Sequence, residues 1–191
     1  MKDSCCEIDD VAYYHGKTEP EKSWIPGTSQ SRHSCCDIKV SEDTAICKEC
    51  SGKGKPVSEI TLKSLVKEPV LEAIESLNGF YYCETPTCGV VYLNNEQQVY
   101  LHKEDVKVRV GIKETESPIP VCYCFGWTQE RIFEQIKQQG YSTAVQEISA
   151  KVKTGECECE IKNPSGRCCL GDVNKMVKKG LELYGKNKRR E

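Results

Sequence analysis

The stretch FYYCETPTCGVVYL, Phe80–Leu93, brackets a short cysteine turn between two β-forming runs. Its flanks, FYYC and VVYL, are aromatic and β-branched, the composition of strands. Between them Cys83 and Cys88 form C-x4-C, with Pro86 and Gly89 suited to a tight turn. Upstream, Cys47 and Cys50 form C-x-x-C in CKEC. Two close cysteine pairs separated by a secondary-structure excursion are how four thiolates reach one tetrahedral ion. Backbone N–H groups of the turns then point at the sulfurs. Zinc is the metal expected, since four thiolates with no open position describe a structural site. The rival is a redox C-x-x-C at Cys47, but such a motif wants a βαβ setting that this sequence does not display.

The surroundings read as a small mixed module over residues 46–115. Leu62, Leu65 and Val66 lie on one side of a helical pattern that Pro69 interrupts. Leu71, Ile74 and Leu77 follow at spacings of three, ending before Asn78-Gly79. Asn94-Asn95 marks a turn between apolar runs, and Val106, Val108 and Val110 alternate as a half-buried strand should. The polar, proline-bearing KETESPIP, Lys113–Pro120, is the best domain boundary.

Residues 116–185 read as a helical module around cysteines. Thr128 can cap a helix carrying Ile132, Phe133 and Ile136 and stopping at Gly140. Thr143 and Gln146 make a capping-box pattern before Val145, Ile148 and Val152. Leu170, Val173, Val177 and Leu181 step by three and four through a last helix. A second cysteine set belongs here: Cys122 and Cys124 in PVCYCFGWT, Cys157 and Cys159 in GECECE, and the vicinal Cys168 and Cys169. C-x-C brings two thiolates to one metal without an intervening helix. Helix starts near both ends aim N–H groups and a positive helix end at an anionic centre such as an iron–sulfur cluster.

PVCYCFGWT, followed by CECEIKNPSGRCCLGDV, resembles the iron–sulfur region of bacterioferritin-associated ferredoxin-like domains. More closely it resembles the N-terminal half of CopZ-type copper chaperones, in which a 2Fe–2S domain follows a four-cysteine zinc domain. FYYCETPTCGVVYL and VGIKE are similar to the zinc part of that family. The resemblance runs from about Cys47 to about Met176. It implies an α+β fold, a small zinc-binding α/β module before a helical 2Fe–2S module like the ferredoxin domain. It implies cluster ligation by Cys122, Cys124, Cys159 and Cys169, with Cys157 and Cys168 as alternates. The family's Met-x-Cys-x-x-Cys copper loop has no counterpart near Met1 or Met176, so copper handover through that loop is not expected of this polypeptide.

Residues 1–45 read as a weakly ordered leader holding two copies of a vicinal phrase, SCCEI and SCCDI. Cys5 with Cys6, and Cys35 with Cys36, could each hold a soft ion such as Cu(I) or Hg(II). The three histidines, His15, His33 and His102, share no spacing, and a basic tail covers residues 186–191.

Composition limits the alternatives. The 191-residue chain is 38% hydrophobic with 14 cysteines, so its apolar core is thin and thiol chemistry must help order it. A formal net charge of −2 argues against nucleic acid as a partner. No apolar run approaches a membrane span and the start lacks a signal-like apolar core. A reducing, cytoplasmic setting is therefore expected, in which regularly spaced cysteines bind metal rather than form disulfides.

These readings lead to soft-metal handling of the copper type. The protein would bind the ion, supply one electron through the cluster, and act with a redox or metal-transport partner. It would not be a classical enzyme, and metal-ion reduction is the one activity it would support. The alternative is a ferredoxin-like electron carrier or docking module without metal cargo.

Overall fold

The computed structural model describes residues 45–185, which belong to one compact unit, Val40–Glu191. The cysteine calls at Cys5, Cys6, Cys35 and Cys36 lie outside the described residues, as does the basic tail.

Four short strands form an antiparallel sheet in sequential order: β1 (Gly54–Pro56), β2 (Tyr81–Cys83), β3 (Val90–Asn94) and β4 (Val99–His102). Two short helices, α1 (Glu59–Leu65) and α2 (Glu68–Glu72), stand between β1 and β2. Pro69 sits in the first turn of α2, where its missing N–H costs nothing. The Asn94 carboxamide accepts from the backbone N–H groups of Glu96 and Gln97, both at 3.0 Å, and so shapes the turn from β3 to β4.

Strand β3 is buried along its whole length and carries a bulge. Val90 pairs with His102 and Tyr92 with Leu101, so Val91 is the extra residue. The bulge lets adjacent residues serve one face. Val91 and Tyr92 pack with Leu62, Val66 and Phe80 under α1, while Val90 and Leu93 pack with Cys47, Cys83 and Cys88.

The strand expected over Val106–Val110 is absent. Val106 makes a single bridge with Val66, Lys107 N–H donates to Leu65 O at 2.7 Å, and the chain enters a 3-10 turn, Gly111–Lys113. Val106 and Val110 are still buried. Their alternation thus reports burial beneath the end of α1, not membership of the sheet.

The second half begins with a small hairpin, β5 (Pro120–Cys122) and β6 (Trp127–Thr128). Helices α3 (Gln129–Gln139), α4 (Ala144–Lys153), α5 (Cys159–Lys162) and α6 (Leu170–Tyr184) follow. Thr128 caps α3 by accepting from Arg131 N–H at 3.3 Å, and Gly140 ends it in the left-handed region at φ 85°. The expected Thr143 capping box does not form. The Thr143 hydroxyl donates to Glu147 instead, while Gln135 Oε1 accepts from Thr143 N–H. Trp127, Ile132, Phe133, Ile136, Ala144, Ile148 and Val173 make the helical core. Gly180 lets α6 approach α3, since a Cβ there would lie 2.6 Å from Ile136 Cδ1. Among the described residues no helix is long and apolar enough to cross a membrane.

Sheet and helices are joined directly. The Tyr92 hydroxyl donates to Pro164 O at 2.8 Å, in a buried bond between β3 and the turn after α5. Tyr92→Phe leaves that carbonyl without its donor and should destabilise the protein by about 1–3 kcal/mol. A denaturant titration reads this as a lower midpoint with an unchanged slope.

Candidate functional site

The first cysteine pair occupies a backbone knuckle. Cys47 N–H donates to Gly52 O at 2.9 Å, and Ser51 N–H donates back to Cys47 O at 2.8 Å. Ser51 takes φ 57°, and Gly52 has no room for a Cβ, which would stand 2.5 Å from Thr85 Oγ1. The knuckle points the N–H groups of Glu49 and Cys50 at the Cys47 sulfur, and Gly52 N–H at Cys50 Sγ, 3.4 Å away. The second pair closes the β2–β3 loop, where Cys88 N–H donates to Thr85 O at 3.2 Å.

These two turns bring Cys47, Cys50, Cys83 and Cys88 together, all four sulfurs lying within 4.8 Å of one another. Cys47 and Cys88 are 3.8 Å apart, Cys50 and Cys83 3.7 Å. A tetrahedral ion with metal–sulfur bonds of about 2.3 Å separates its ligands by about 3.8 Å, so this donor set fits zinc. The spacing is far beyond a disulfide's S–S bond of about 2 Å. Cys47, Cys83 and Cys88 are buried and Cys50 half-buried, as befits a closed site.

The thiols ionise unequally. The Thr85 hydroxyl, 3.2 Å from Cys50 Sγ, leads the hydrogen bonds that hold Cys50 down to about 6. Burial pushes Cys47 up and Cys88 up to about 12. Two residues near the sulfurs carry no sequence signal of their own. Glu49 Oε2 lies 3.8 Å from Cys88 Sγ, and Glu49 Oε1 lies 2.9 Å from His102 Nε2, an exposed pair beside the site. Thr85 was at least visible within the C-x4-C loop.

The second thiol set gathers where the β5–β6 hairpin meets the starts of α5 and α6. Cys124 and Cys159 have sulfurs 3.6 Å apart. Cys122 lies within hydrogen-bonding reach of Cys169, and Cys159 within reach of Cys168 and Cys169. Backbone donors surround the sulfurs: Glu158 N–H to Cys124 at 3.4 Å, those of Cys124 and Phe125 to Cys122, and Cys169 N–H to Cys159. The Cys169 bond holds Cys122 down to about 7, and bonds from Cys168 and Cys169 hold Cys159 far below the thiol range. Those same contacts push the Cys168 and Cys169 thiols up, while burial pushes Cys124 up to about 12. Cys169 is buried at 2% exposure, whereas its neighbour Cys168 is exposed and Cys157 half-buried.

An antiparallel sheet with a closed tetrathiol site, beside helices carrying further converging thiols, defines a cysteine-rich metal-binding protein of mixed helix and strand. Residues 44–107 match the family model zf_CopZ, described as a zinc binding domain. The copper chaperone CopZ of Archaeoglobus fulgidus is 42% identical over 142 residues, 74% of this chain and 65% of that protein. The X-ray structure of that organism's CopZ N-terminal domain superposes with a TM-score of 0.58 at 36% identity, covering 69% of this chain and 97% of that one. The chain belongs to the CopZ family. Residues 44–107 carry the family's zinc binding domain, and the chain spans 65% of the length of the full CopZ relative.

Metal thiolates form by displacing protons, so zinc affinity should rise with pH and fall in acid. At pH 7 Cys50 is largely ionised already, and the protons displaced come in part from Cys47 and Cys88. Calorimetry of zinc binding in buffers of different ionisation enthalpy should therefore show net proton release at pH 7, and a heat independent of buffer would contradict it.

Proposed function

We propose that the protein handles soft metal ions of the copper type and supplies them with one electron from a 2Fe–2S cluster held by Cys122, Cys124, Cys159 and Cys169. Zinc held by Cys47, Cys50, Cys83 and Cys88 is in this reading structural. The observation that carries it is the second thiol set: Cys124 and Cys159 at 3.6 Å, and Cys122 against Cys169. Cys124 and Cys159 stand at the spacing of two ligands on one tetrahedral metal, and Cys122 and Cys169 converge on them through Cys159, a set that suits a two-iron cluster.

The residues present fit such a cluster in their surroundings as well. Backbone N–H groups reach Cys122, Cys124 and Cys159, and donors to cluster sulfurs raise a reduction potential. A cluster bound there would supply one electron at a time, which suffices to take Cu(II) to Cu(I). The chain's own part is to fix four thiolates on rigid elements, exclude water from Cys122 and Cys169, and aim the donors. Similarity to a copper chaperone supports copper as cargo and a metal-transport or redox protein as partner. We assign Cys5, Cys6, Cys35 and Cys36 to holding Cu(I) or a similar soft ion. Residues 46–115 form the zinc-ordered module in this reading, and residues 116–185 the ferredoxin-like one. A reducing, cytoplasmic setting belongs to this reading, since thiolates must stay reduced to hold metal.

Anaerobic purification with metal analysis should give about two irons and one zinc per chain, with an S = 1/2 EPR signal on reduction. Zinc without iron overturns the cluster. Cys169→Ser should lose or alter the EPR signal and Cys168→Ser should keep it, because only Cys169 is buried against Cys122. Replacing Cys5, Cys6, Cys35 and Cys36 by serine should abolish tight Cu(I) binding in a competition assay. An intact cluster with no stoichiometric Cu(I) site in the unmodified chain would instead favour an electron carrier without cargo.

A further inference from the structure

Lys113 opens the stretch expected to be a polar connector, yet its side chain is buried, at 6% exposure. Burying an ammonium is costly unless oxygen acceptors replace its water. Lys113 finds them in the second cysteine loop, where Nζ donates to Thr85 O at 2.7 Å and to Cys88 O at 3.2 Å. That loop supplies two of the four converging sulfurs. Its Thr85 also stands 3.2 Å from Cys50 Sγ, on the other cysteine turn. One cation thus grips the loop beside a centre that is anionic when a divalent ion holds four thiolates.

The turn that carries Lys113 is tied at its other end to the second thiol set. Gly111 N–H donates to Tyr123 Oη at 2.8 Å, and the Tyr123 hydroxyl donates to Arg109 O at 2.9 Å. Gly111 is pressed against β5 so closely that a Cβ would stand 1.9 Å from Pro120 O. Tyr123 is the middle residue of Cys122-Tyr123-Cys124. Its phenol therefore anchors the backbone whose N–H groups face the Cys122 sulfur.

We propose that Lys113 and Tyr123 are positioning residues forming one bridge between the two thiol sites. Lys113 holds the second zinc-site loop, Tyr123 holds the C-x-C segment, and the tight turn Gly111–Lys113 transmits displacement from either end to the other. The zinc arm stands on the tetrathiol geometry. The other arm rests on the 2Fe–2S reading given above.

The test uses the full chain, purified anaerobically, with Lys113→Met, Tyr123→Phe and the double variant. Zinc release is followed with the chromogenic chelator 4-(2-pyridylazo)resorcinol, and the cluster's midpoint potential by EPR-monitored titration. Lys113→Met should release zinc about tenfold faster, the lower range for loss of an outer partner of a metal site. Tyr123→Phe touches no zinc-site cysteine, yet through the bridge it should also speed release, by about threefold. Lys113→Met removes a cation and Tyr123→Phe loosens donors to Cys122, so both should lower the potential, by separate routes. The double variant should release zinc no faster than the faster single one, as for residues acting through a shared path. Unchanged zinc release in Tyr123→Phe overturns the bridge, and so do additive gains in release rate. If Lys113→Met does not fold, zinc release from Tyr123→Phe alone decides. An unmodified chain lacking the iron signal defeats the cluster reading and leaves the bridge to the zinc-release arm.

Discussion

Four sulfurs held 3.7 to 3.8 Å from their partners cannot all be thiolates without a cation among them. Two unit charges at about 4 Å repel by about 4 kcal/mol at an effective dielectric near 20, and the set contains several such pairs. Either protons or a metal must neutralise the centre, and a divalent ion does so while keeping every sulfur in place. The rest of this half depends on that. Among the described residues, the face of the sheet toward the cysteines fully buries Val90 and Leu93 beside Cys47, Cys83 and Cys88, with Ala45, Tyr81 and Tyr100 partly buried against them. So few apolar groups do not fix two loops. An ion held there would contribute to folding as well as binding, and its loss would release both turns together.

The helical half is organised in the opposite way. Its core is a continuous apolar cluster around Trp127, Ile132, Phe133, Ile136 and Val173, closed by the approach of α6 to α3 at Gly180. Cys122 and Cys169 are members of that core and are held by its packing. Such a site is walled by apolar burial, whereas a tetrathiol site with few apolar neighbours would be organised by the ion it holds. This difference suits the roles proposed for them. A centre that cycles between redox states is best held by walls that do not move, and a structural ion can be the last piece of its own fold.

The sequence carried the local signals well and the long-range ones poorly. C-x-x-C and C-x4-C identify the four cysteines whose sulfurs converge, because turn chemistry is local and thiols have few other uses at such spacing. Apolar periodicity located α3, α4 and α6, and the β-rich runs around Cys83 and Cys88 became β2 and β3. The alternation of Val106, Val108 and Val110 misled, since a chain passing beneath a helix buries alternate residues just as a strand does. Lys113 was invisible. Nothing in a polar, proline-bearing stretch announces that its first ammonium turns inward onto carbonyls from a loop 25 residues earlier. The bulge at Val91 was equally silent, although it decides which β3 residues face the thiols.

The vicinal cysteines show how backbone geometry separates residues that the sequence presents as equals. Cys169 stands at the entrance to α6, and its carbonyl accepts from Val173 N–H at 2.9 Å. Consecutive residues at a helix start project in different directions, so two neighbours cannot share one environment. Cys169 turns into the core against Cys122, and Cys168 turns out. Yet Cys168 still reaches Cys159, which is itself paired with Cys124. A sulfur so placed is outside the proposed ligand set but next to it. The contact with Cys159 pushes the Cys168 thiol up, which keeps it protonated beside the proposed ligands. The duplication of cysteine at this position thus supplies two different things, a buried sulfur fixed by the fold and an accessible one beside it.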